Sequence, residues 1–372
     1  MSNLRVIISG GGTGGHIFPA ISIANAIREI EPEAKILFVG AEGRMEMQRV
    51  PQAGYEIVGL PIRGLLRPLW RLGNLGVLRD FFRSKRMAKD TLRQFRPQVA
   101  VGVGGYASAA TLNAASDMHI PCLIQEQNSF AGITNRSLAK KAQKICVAYE
   151  GMERFFPKKN ILLTGNPVRQ NLLNPNLTKT ESAAIFGFDP EIPTLLVVGG
   201  SLGARTLNES VLGSLKAIAN APVQVIWQTG GYYYQQILEE LERIGKPHNL
   251  FVTDFLSSMD HAYKAADLVV SRAGASSISE LCLLGKPSIL VPSPNVSEDH
   301  QTHNAMALVR KQAALIVRDA EAKEKLIPLA LRTATDVAQL KRLGSNAQGM
   351  AFKDSAKVIA QEVIKLANQD QA

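Results

Sequence analysis

The chain has 372 residues, a net charge of +10 and 46% hydrophobic residues, which allows two or three globular domains and excludes a disordered or fibrous protein. Its three cysteines are far apart and lack the spacing of metal ligands, so neither structural zinc nor a disulfide framework is expected. No secretory signal precedes the first strand and no stretch approaches the roughly 18 uninterrupted apolar residues of a membrane span, so we expect a cytoplasmic protein.

The chain begins with the pattern of a strand, a glycine-rich loop and a helix. Residues 4–9 form an apolar run, GGGTGG follows at 10–15, and residues 17–30 have helical periodicity. Glycine allows positive φ and lets a ligand approach the backbone closely, so this loop is a candidate phosphate or sugar site. Its glycines also fit GxGxxG. That motif alone is weak evidence for a nicotinamide site, because the next strand, 35–39, does not end in an acidic residue.

His16 stands where the first helix is predicted to begin. The positive end of a helix dipole favours the neutral imidazole, which is the form that a general base needs. A structural histidine that only caps the loop fits the sequence equally well.

Much of the net charge falls between Arg63 and Arg96, where ten basic residues accompany two acidic ones. Apolar and aromatic residues alternate with the arginines, as in GLLRPLWRLGNLGVLRDFFRSKR at 64–86. Basic groups beside apolar groups suit an anionic bilayer surface, to which each exposed cation contributes about 1 kcal/mol. We therefore predict membrane contact here; the alternative is a solvated helix whose apolar face is core. No nucleic-acid partner is expected, since no binding motif accompanies the charge.

Two further strands, at 99–103 and 122–124, precede candidate ligand-binding residues. GGYASAA follows the first strand at 104–110. The second strand leads into five side chains with carboxyl or amide groups: Gln125, Glu126, Gln127, Asn128 and Asn135. Open α/β sheets bind ligands at the carboxyl ends of their strands, so these residues are site candidates. A polar surface loop is the alternative for each of them.

The pattern repeats after a proline- and asparagine-rich crossing at 165–180. A strand at 194–198, a second glycine loop in GGSLGART and a helix from about residue 207 mirror the first unit. Further apolar runs lie at 223–228, 250–253, 268–271 and 288–291, and a closing helix is predicted at 352–367. The fold class is therefore α/β, with two Rossmann-like doubly wound domains facing each other across a cleft. Arg169 could pair with a phosphate there, or it could be an exposed surface arginine.

Residues 267–292 predict a nucleotide-diphosphate site in a strand, a loop of small residues and a helix from about Ser277. The first amides of a helix lack intrahelical partners and the dipole adds positive potential, so residues 274–277 could bind a pyrophosphate without a metal. Glu280, in the first turn of that helix, could accept hydrogen bonds from ribose hydroxyls. Alternatively, Ser277 and Glu280 have the spacing of a capping box, which needs no ligand. The sequence contains no DxD pair, so a metal cofactor is not expected.

Seven motifs occur in one order over nearly the whole chain: GGTGGH at 11–16, GGYAS at 104–108, EQN at 126–128, GNPVR at 165–169, GGSLGAR at 199–205, SRAGASSISE at 271–280 and DHQTHNA at 299–305. Together they resemble the MurG family, the peptidoglycan N-acetylglucosaminyltransferases that convert lipid I to lipid II. The resemblance implies a GT-B fold and inverting transfer from UDP-N-acetylglucosamine, a substrate, to the C4 hydroxyl of lipid I without a cofactor. It also implies a peripheral location on the cytoplasmic face of the inner (plasma) membrane.

The resemblance implies roles residue by residue. The implied donor-binding positions are Thr13, Gly14, Gly15, Asn128, Arg169, Ser201, Leu256, Ala275, Ser276, Ser277, Ile278, Ser279, Glu280 and Gln301. Tyr106 and Asn135 are implied on the acceptor side, with His16 as the first choice of general base and Glu126 as the second. The implied domains are 1–164 for the acceptor and the membrane, 165–348 for the UDP-sugar, and 349–372 for a helix packing back toward the N-terminal domain.

The chain departs from the family pattern at two places. Gln125 stands where the family usually has histidine, and GGYASAA lacks the usual glycine and proline after its serine. Three other classes of protein share parts of the pattern: a UDP-N-acetylglucosamine epimerase, a nicotinamide oxidoreductase and a non-catalytic protein that binds membrane surfaces.

Overall fold

The computed structural model of the protein describes residues 4–64, 73–168, 170–200 and 202–369. The chain forms two compact units. The N-terminal unit consists of Met1–Val168 and Phe352–Ala372, and the C-terminal unit consists of Arg169–Ala351.

Each unit contains one parallel sheet. The N-terminal strands are β1 (Arg5–Ser9), β2 (Lys35–Ala41), β3 (Glu56–Leu60), β4 (Val99–Gly102), β5 (Cys122–Glu126), β6 (Lys144–Val147) and β7 (Ile161–Leu163), in the order β3-β2-β1-β4-β5-β6-β7. The C-terminal strands are β8 (Thr194–Val198), β9 (Gln224–Gln228), β10 (Leu250–Thr253), β11 (Leu268–Ser271), β12 (Ser288–Leu290) and β13 (Leu315–Ile316), in the order β10-β9-β8-β11-β12-β13.

Helices connect these strands. In the N-terminal unit they are α1 (Gly14–Ile30), α2 (Glu46–Gln52), α3 (Gly73–Phe95), α4 (Tyr106–Asp117) and α5 (Ile133–Leu138). The C-terminal unit has α6 (Lys179–Ile185), α7 (Arg205–Leu212), α8 (Leu215–Ala219), α9 (Tyr234–Ile244), α10 (Met259–Ala265), α11 (Ala275–Leu283), α12 (His300–Val309), α13 (Ala322–Ala334) and α14 (Val337–Gln348). The last helix, α15 (Ser355–Gln369), belongs to the N-terminal unit and packs against α1.

The central strands carry continuous apolar runs because helices cover both faces of each sheet. Val6, Ile7 and Ile8 in β1 are fully buried. Val6 and Ile8 join the core layer that contains Ile359 of α15, whereas Ile7 joins the layer that contains Leu112 of α4. Alternate residues of one strand therefore bind two helical layers to the sheet.

Both sheets reverse their strand order at one point. β1 lies beside β4 in the N-terminal sheet, and β8 lies beside β11 in the C-terminal sheet. At such a switch point the loops leaving the two neighbouring strands diverge and leave room for a ligand. The two glycine loops, the GGYASAA loop and the loop after β11 all leave strands at these points.

The predicted fold class, two parallel-sheet α/β domains, is confirmed. Several element bounds differ: β3 was not predicted, α1 begins at Gly14 and α15 begins at Ser355. β3 is an edge strand whose residues are mostly half-buried, so it lacks the apolar run that marks the central strands. Among the described residues, no helix is both long and apolar enough to cross a membrane.

Candidate functional site

Residues 10–15, the first glycine loop, connect β1 to α1. Gly12 has a φ of +84°, a value that favours glycine. α1 begins at Gly14, and within the described chain no side chain caps this helix at Thr13. Thr13, Gly14 and Gly15, the predicted ligand contacts, therefore stand at a helix start whose first amides have no intrahelical partner.

Glu46, which was not predicted, fastens this loop to the sheet. Its side chain is fully buried; Oε2 accepts a hydrogen bond from the amide of Gly12 at 3.0 Å, and Oε1 accepts one from the amide of Ala41 at 3.0 Å. A Cβ atom at Gly11 would lie 2.0 Å from Oε1, which is too close for any side chain. Glycine at this position lets the backbone pass next to the carboxylate. In the sequence Glu46 looks like an ordinary acidic residue at the start of a helix.

His16 lies between two glycine-containing loops. Its Nδ1 is 2.9 Å from the carbonyl oxygen of Gly11, so Nδ1 carries the proton and donates it to that oxygen. In the neutral ring Nε2 then carries the lone pair that a general base uses. A Cβ atom at Gly104, which has a φ of +98°, would lie 2.8 Å from Nε2. Glycine at this position keeps space beside that nitrogen.

The GGYASAA segment forms a short loop followed by a helix. Gly104 and Gly105 both have positive φ, and α4 begins at Tyr106 and continues through the alanines at 109 and 110. The alanines are good helix formers, so the loop is confined to the two glycines. Tyr106 is 50% exposed, and a Cβ atom at Gly64 would lie 2.5 Å from its ring.

Glu126 organises the loop after β5. The side chain is buried, and its Oε1 accepts a hydrogen bond from the amide of Asn128 at 3.0 Å. Oε2 accepts from the amide of Gly132 at 3.1 Å and from Nδ2 of Asn135 at 2.9 Å. Oδ1 of Asn135 is buried and has no hydrogen-bond partner among the described residues. The structure thus brings Glu126, Asn128 and Asn135 into one cluster.

Gln125 ties the end of β5 to the 165–168 segment. It is fully buried, and its Nε2 donates a hydrogen bond to Oδ1 of Asn166 at 2.9 Å. Asn166 in turn donates to the carbonyl oxygen of Gln127 at 3.0 Å. Gln125 is therefore a neutral amide that joins the end of β5 to the 165–168 segment.

In the C-terminal unit, Gln228 fastens the second glycine loop, residues 199–204. This side chain, which was not predicted, is buried at the end of β9. Its Oε1 accepts from the amide of Gly200 at 3.0 Å, and its Nε2 donates to the carbonyl oxygens of Gly200 at 2.9 Å and Asp254 at 2.7 Å. The sequence did contain a signal for Gln228, because it is an amide side chain at the carboxyl end of a strand. Gln125 was chosen as a candidate for the same reason.

Two further predicted contacts of the C-terminal unit lie after β10 and after β12. Leu256, two residues after Asp254, is buried at 7% exposure. Gln301, in α12, accepts a hydrogen bond from the amide of Ser293 at 2.8 Å through its Oε1. Arg169 and Ser201 lie outside the described residues.

The helix after β11 begins at Ala275, two residues earlier than predicted. Gly274 is its N-cap residue in an extended conformation, and no described side chain caps it. Ser277 is therefore the third residue of the helix, and the capping box with Glu280 does not form. Glu280 lies in the second turn, so its predicted place in the first turn was wrong. The first amides of α11 keep their hydrogen-bonding capacity.

Two side chains hold the loop that precedes α11. Arg272 forms an ion pair with Asp319 and donates a hydrogen bond to the carbonyl oxygen of Val291 at 3.1 Å. Asn304, fully buried in α12, donates to the carbonyl oxygen of Ala273 at 3.4 Å. The backbone at the helix start is thus fixed before any ligand binds.

Within α11 the predicted contacts differ in what they offer a ligand. Ile278 is core, and Oγ of Ser279 donates to the carbonyl oxygen of Ala275 at 3.0 Å. Oγ of Ser276 is buried without a partner among the residues that the structure describes. Glu280 is 5% exposed, and its Oε2 accepts a hydrogen bond from the hydroxyl of Tyr263, another unpredicted residue, at 3.0 Å.

The basic segment between Arg63 and Arg96 is described except for residues 65–72. In α3, Leu75, Leu78 and Phe82 are 69%, 53% and 62% exposed. Arg79, on the same helix, has an 82% exposed side chain. These three side chains are exposed and lie along the helix with exposed cations. Val77 of the same helix is 6% exposed and Phe81 packs against the core, so the alternative interpretation holds for another part of the helix surface.

Comparisons with known proteins follow the same two-unit division. Residues 6–147 match the glycosyltransferase family 28 N-terminal domain, and residues 194–359 match the glycosyltransferase family 28 C-terminal domain. A UDP-N-acetylglucosamine–N-acetylmuramyl-(pentapeptide) pyrophosphoryl-undecaprenol N-acetylglucosamine transferase of Bacteroides fragilis is 61% identical over 368 residues, covering 98% of this chain and 96% of the relative. The protein of the same name from Bacteroides thetaiotaomicron is 60% identical over 369 residues, covering 99% of each. The crystal structure of Acinetobacter baumannii MurG covers 97% of this chain and 99% of its own, with a TM-score of 0.77 and 26% identity.

Proposed function

This chain belongs to glycosyltransferase family 28 and, within it, to the MurG family, and from that premise we propose that it transfers N-acetylglucosamine from UDP-N-acetylglucosamine to lipid I. Lipid I is undecaprenyl-pyrophosphoryl-MurNAc-pentapeptide. The product is lipid II, the disaccharide precursor of peptidoglycan, and the leaving group is UDP.

The start of α11 carries this proposal for the donor. Its first amides are uncapped in the described chain and no acidic residue lies in its first turn, so the diphosphate binds there against Ala275, Ser276 and Ser277. The buried hydroxyl of Ser276 provides one further donor to a phosphate oxygen. Glu280 accepts hydrogen bonds from the ribose, and Gln301 contacts the sugar.

The transfer is a single displacement with inversion. The C4 hydroxyl oxygen of the acceptor bonds to C1 of the α-linked sugar while the bond from C1 to the phosphate oxygen breaks and UDP leaves. Nε2 of His16 accepts the hydroxyl proton, because Nδ1 already donates to Gly11. Glu126 is the second choice of base, since its oxygens already accept hydrogen bonds from the loop that it organises.

The donor needs no metal in this proposal. The α11 amides offset the charge that develops on the leaving diphosphate, and Arg169, from the sequence pattern, adds a cation. The enzyme binds the cytoplasmic face of the inner (plasma) membrane peripherally, through the exposed leucines, phenylalanine and arginines of α3. Sedimentation with vesicles should increase with anionic lipid and decrease with salt; indifference to both would remove the membrane proposal.

The experiment that tests the proposed function is incubation with radiolabelled UDP-N-acetylglucosamine and lipid I, followed by separation of the lipids. The proposal requires label in the lipid product and release of one UDP for each sugar transferred. Conversion of the donor to another UDP-sugar without a lipid acceptor would indicate an epimerase instead. Donor binding without turnover would indicate a binding protein.

A further inference from the structure

Tyr263 and Glu280 form a buried, hydrogen-bonded pair that joins α10 to α11. Tyr263 lies in α10 and is 4% exposed, and Glu280 lies in α11 and is 5% exposed. The tyrosine hydroxyl donates a hydrogen bond to Oε2 of Glu280 over 3.0 Å. The two helices flank β11 in the sequence, so the contact joins the element before the strand to the element after it.

A buried carboxylate needs hydrogen bonds to remain charged, and a fixed donor also fixes its orientation. Glutamate has three rotatable side-chain bonds, and an unrestrained carboxylate can turn toward water when a ligand group is missing. A donor on a separate, packed helix removes that freedom. The carboxylate then stays in one orientation whether or not a ligand satisfies it.

We propose that Tyr263 is a positioning residue that holds Glu280 toward the ribose of the donor and thereby makes the enzyme select ribonucleotides over deoxyribonucleotides. The proposal rests on the proposed function, because Glu280 has to be the ribose-binding group. It adds a residue that touches no substrate and acts through another side chain.

The selectivity follows from the cost of an unsatisfied acceptor. A deoxynucleotide leaves one hydrogen-bonding position of the carboxylate empty. A site built to bind a hydroxyl discriminates strongly against the analogue without it when the acceptor remains buried and cannot turn away. Removing the tyrosine hydroxyl takes away one restraint on the orientation of Glu280 and should weaken this discrimination.

The test compares the dissociation constants of UDP, 2′-deoxy-UDP and 3′-deoxy-UDP by titration calorimetry. The wild type should bind UDP at least about tenfold more tightly than the weaker of the two deoxy analogues, as expected for loss of a charged hydrogen bond. Tyr263→Phe should reduce that ratio to about threefold or less, mainly by weakening UDP itself.

The matched control is Tyr55→Phe in the N-terminal unit. Tyr55 is also 4% exposed, and its hydroxyl donates to Oδ1 of Asn25 at 2.7 Å. This variant also loses the hydrogen bond of a buried tyrosine, but the tyrosine is remote in sequence from α11. It should therefore keep the wild-type ratio of dissociation constants. Because each ratio compares ligands on one preparation, loss of folded protein does not change it.

A Tyr263→Phe protein that keeps the full ratio would overturn the proposal. A wild type without any preference for UDP would overturn both this proposal and the ribose role of Glu280. If the wild type prefers UDP, Tyr263→Phe lowers that preference and no sugar is transferred to lipid I, the proposed function fails and the positioning role stands. In a double-mutant cycle with Glu280→Gln, the two effects on UDP affinity should be non-additive; additive effects would contradict action through Glu280.

Discussion

The first glycine loop and the start of α11 both follow central strands at the switch points of their sheets, but different groups hold them. In the first loop, the carboxylate of Glu46 takes up the amide of Gly12. The loop before α11 is held in two ways. Its own Arg272 donates a hydrogen bond to the carbonyl oxygen of Val291, and Asn304 of α12 donates one to the carbonyl oxygen of Ala273. The first amides of α1 and of α11 are both uncapped by described side chains, but the first loop has a buried carboxylate beside it. We therefore expect the charge of the group that holds each loop, more than the glycine pattern, to decide which loop suits a diphosphate.

This difference also explains why the GxGxxG pattern at 10–15 is a poor indicator of a dinucleotide site. A carboxylate beneath the loop opposes a second anion close by. His16 at the same loop suits proton transfer instead, since Gly11 fixes the protonated nitrogen of its ring.

The largest expected effect is the loss of kcat when His16, at the first glycine loop, is replaced. His16→Ala should lower kcat by roughly 100-fold or more, because the attacking hydroxyl loses its base, while the KM for the donor changes little. Steady-state kinetics with lipid I measure both constants. His248→Ala, at an exposed histidine of the C-terminal unit, is the control and should match the wild type. A loss below about tenfold would move the role of base to Glu126.

The next largest effect is a rise in the donor KM when Glu280 of α11 is replaced. Glu280→Ala should raise the donor KM by about 10- to 100-fold, since a charged acceptor for the ribose is lost. Glu239→Ala, at an exposed glutamate of α9, should leave the KM unchanged. If Glu280→Ala lowered only the melting temperature, Glu280 would be a structural partner of Tyr263 and not a ligand for ribose.

A smaller effect is expected at Glu46, which holds the first glycine loop. Glu46→Gln keeps one acceptor oxygen but places an amide group against a backbone N–H, so it should cost about 1–3 kcal/mol of stability. UDP affinity should stay within about twofold, because the diphosphate binds in the other unit. Thermal melts and UDP titrations measure the two effects, with Glu42→Gln as an exposed control. A large loss of UDP affinity would mean that the first loop holds the diphosphate.

The smallest effect concerns the far end of α11, where Lys286 donates a hydrogen bond to the carbonyl oxygen of Ala266 at 2.7 Å. Burial lowers the pKa of Lys286 to about 8, although Asp267 opposes the shift. The unfolded chain therefore binds more protons than the folded one between that value and the ordinary 10.5. Wild-type stability should rise with pH in this window relative to Lys286→Met. Melting curves at several pH values measure the difference, and a flat difference would contradict the burial of the amine. Lys246→Met is the exposed control.

The sequence predicts the parts of this molecule that are local. Apolar runs bounded by glycine mark the central strands, and the two glycine loops and the small residues before α11 are visible as motifs. The supporting side chains are not, because their partners are distant: Glu46 and Gly12 are 34 residues apart, and Gln228 and Gly200 are 28 apart.

The start of α11 shows how a local rule can fail. Ser277 and Glu280 have capping-box spacing, but the extended Gly274 starts the helix earlier and Tyr263, 17 residues away from Glu280, binds its carboxylate. The spacing rule assumes that no tertiary partner competes for the glutamate. Only the folded chain reveals that competitor.

The most direct measurement is a crystal structure of the full chain with UDP, grown in the presence of a chelator. We predict a diphosphate whose oxygens lie about 3 Å from the backbone nitrogens of Ala275, Ser276 and Ser277, with Glu280 on the ribose and no cation between them. A diphosphate bound at residues 10–15, or one that binds only through an added metal ion, would contradict it.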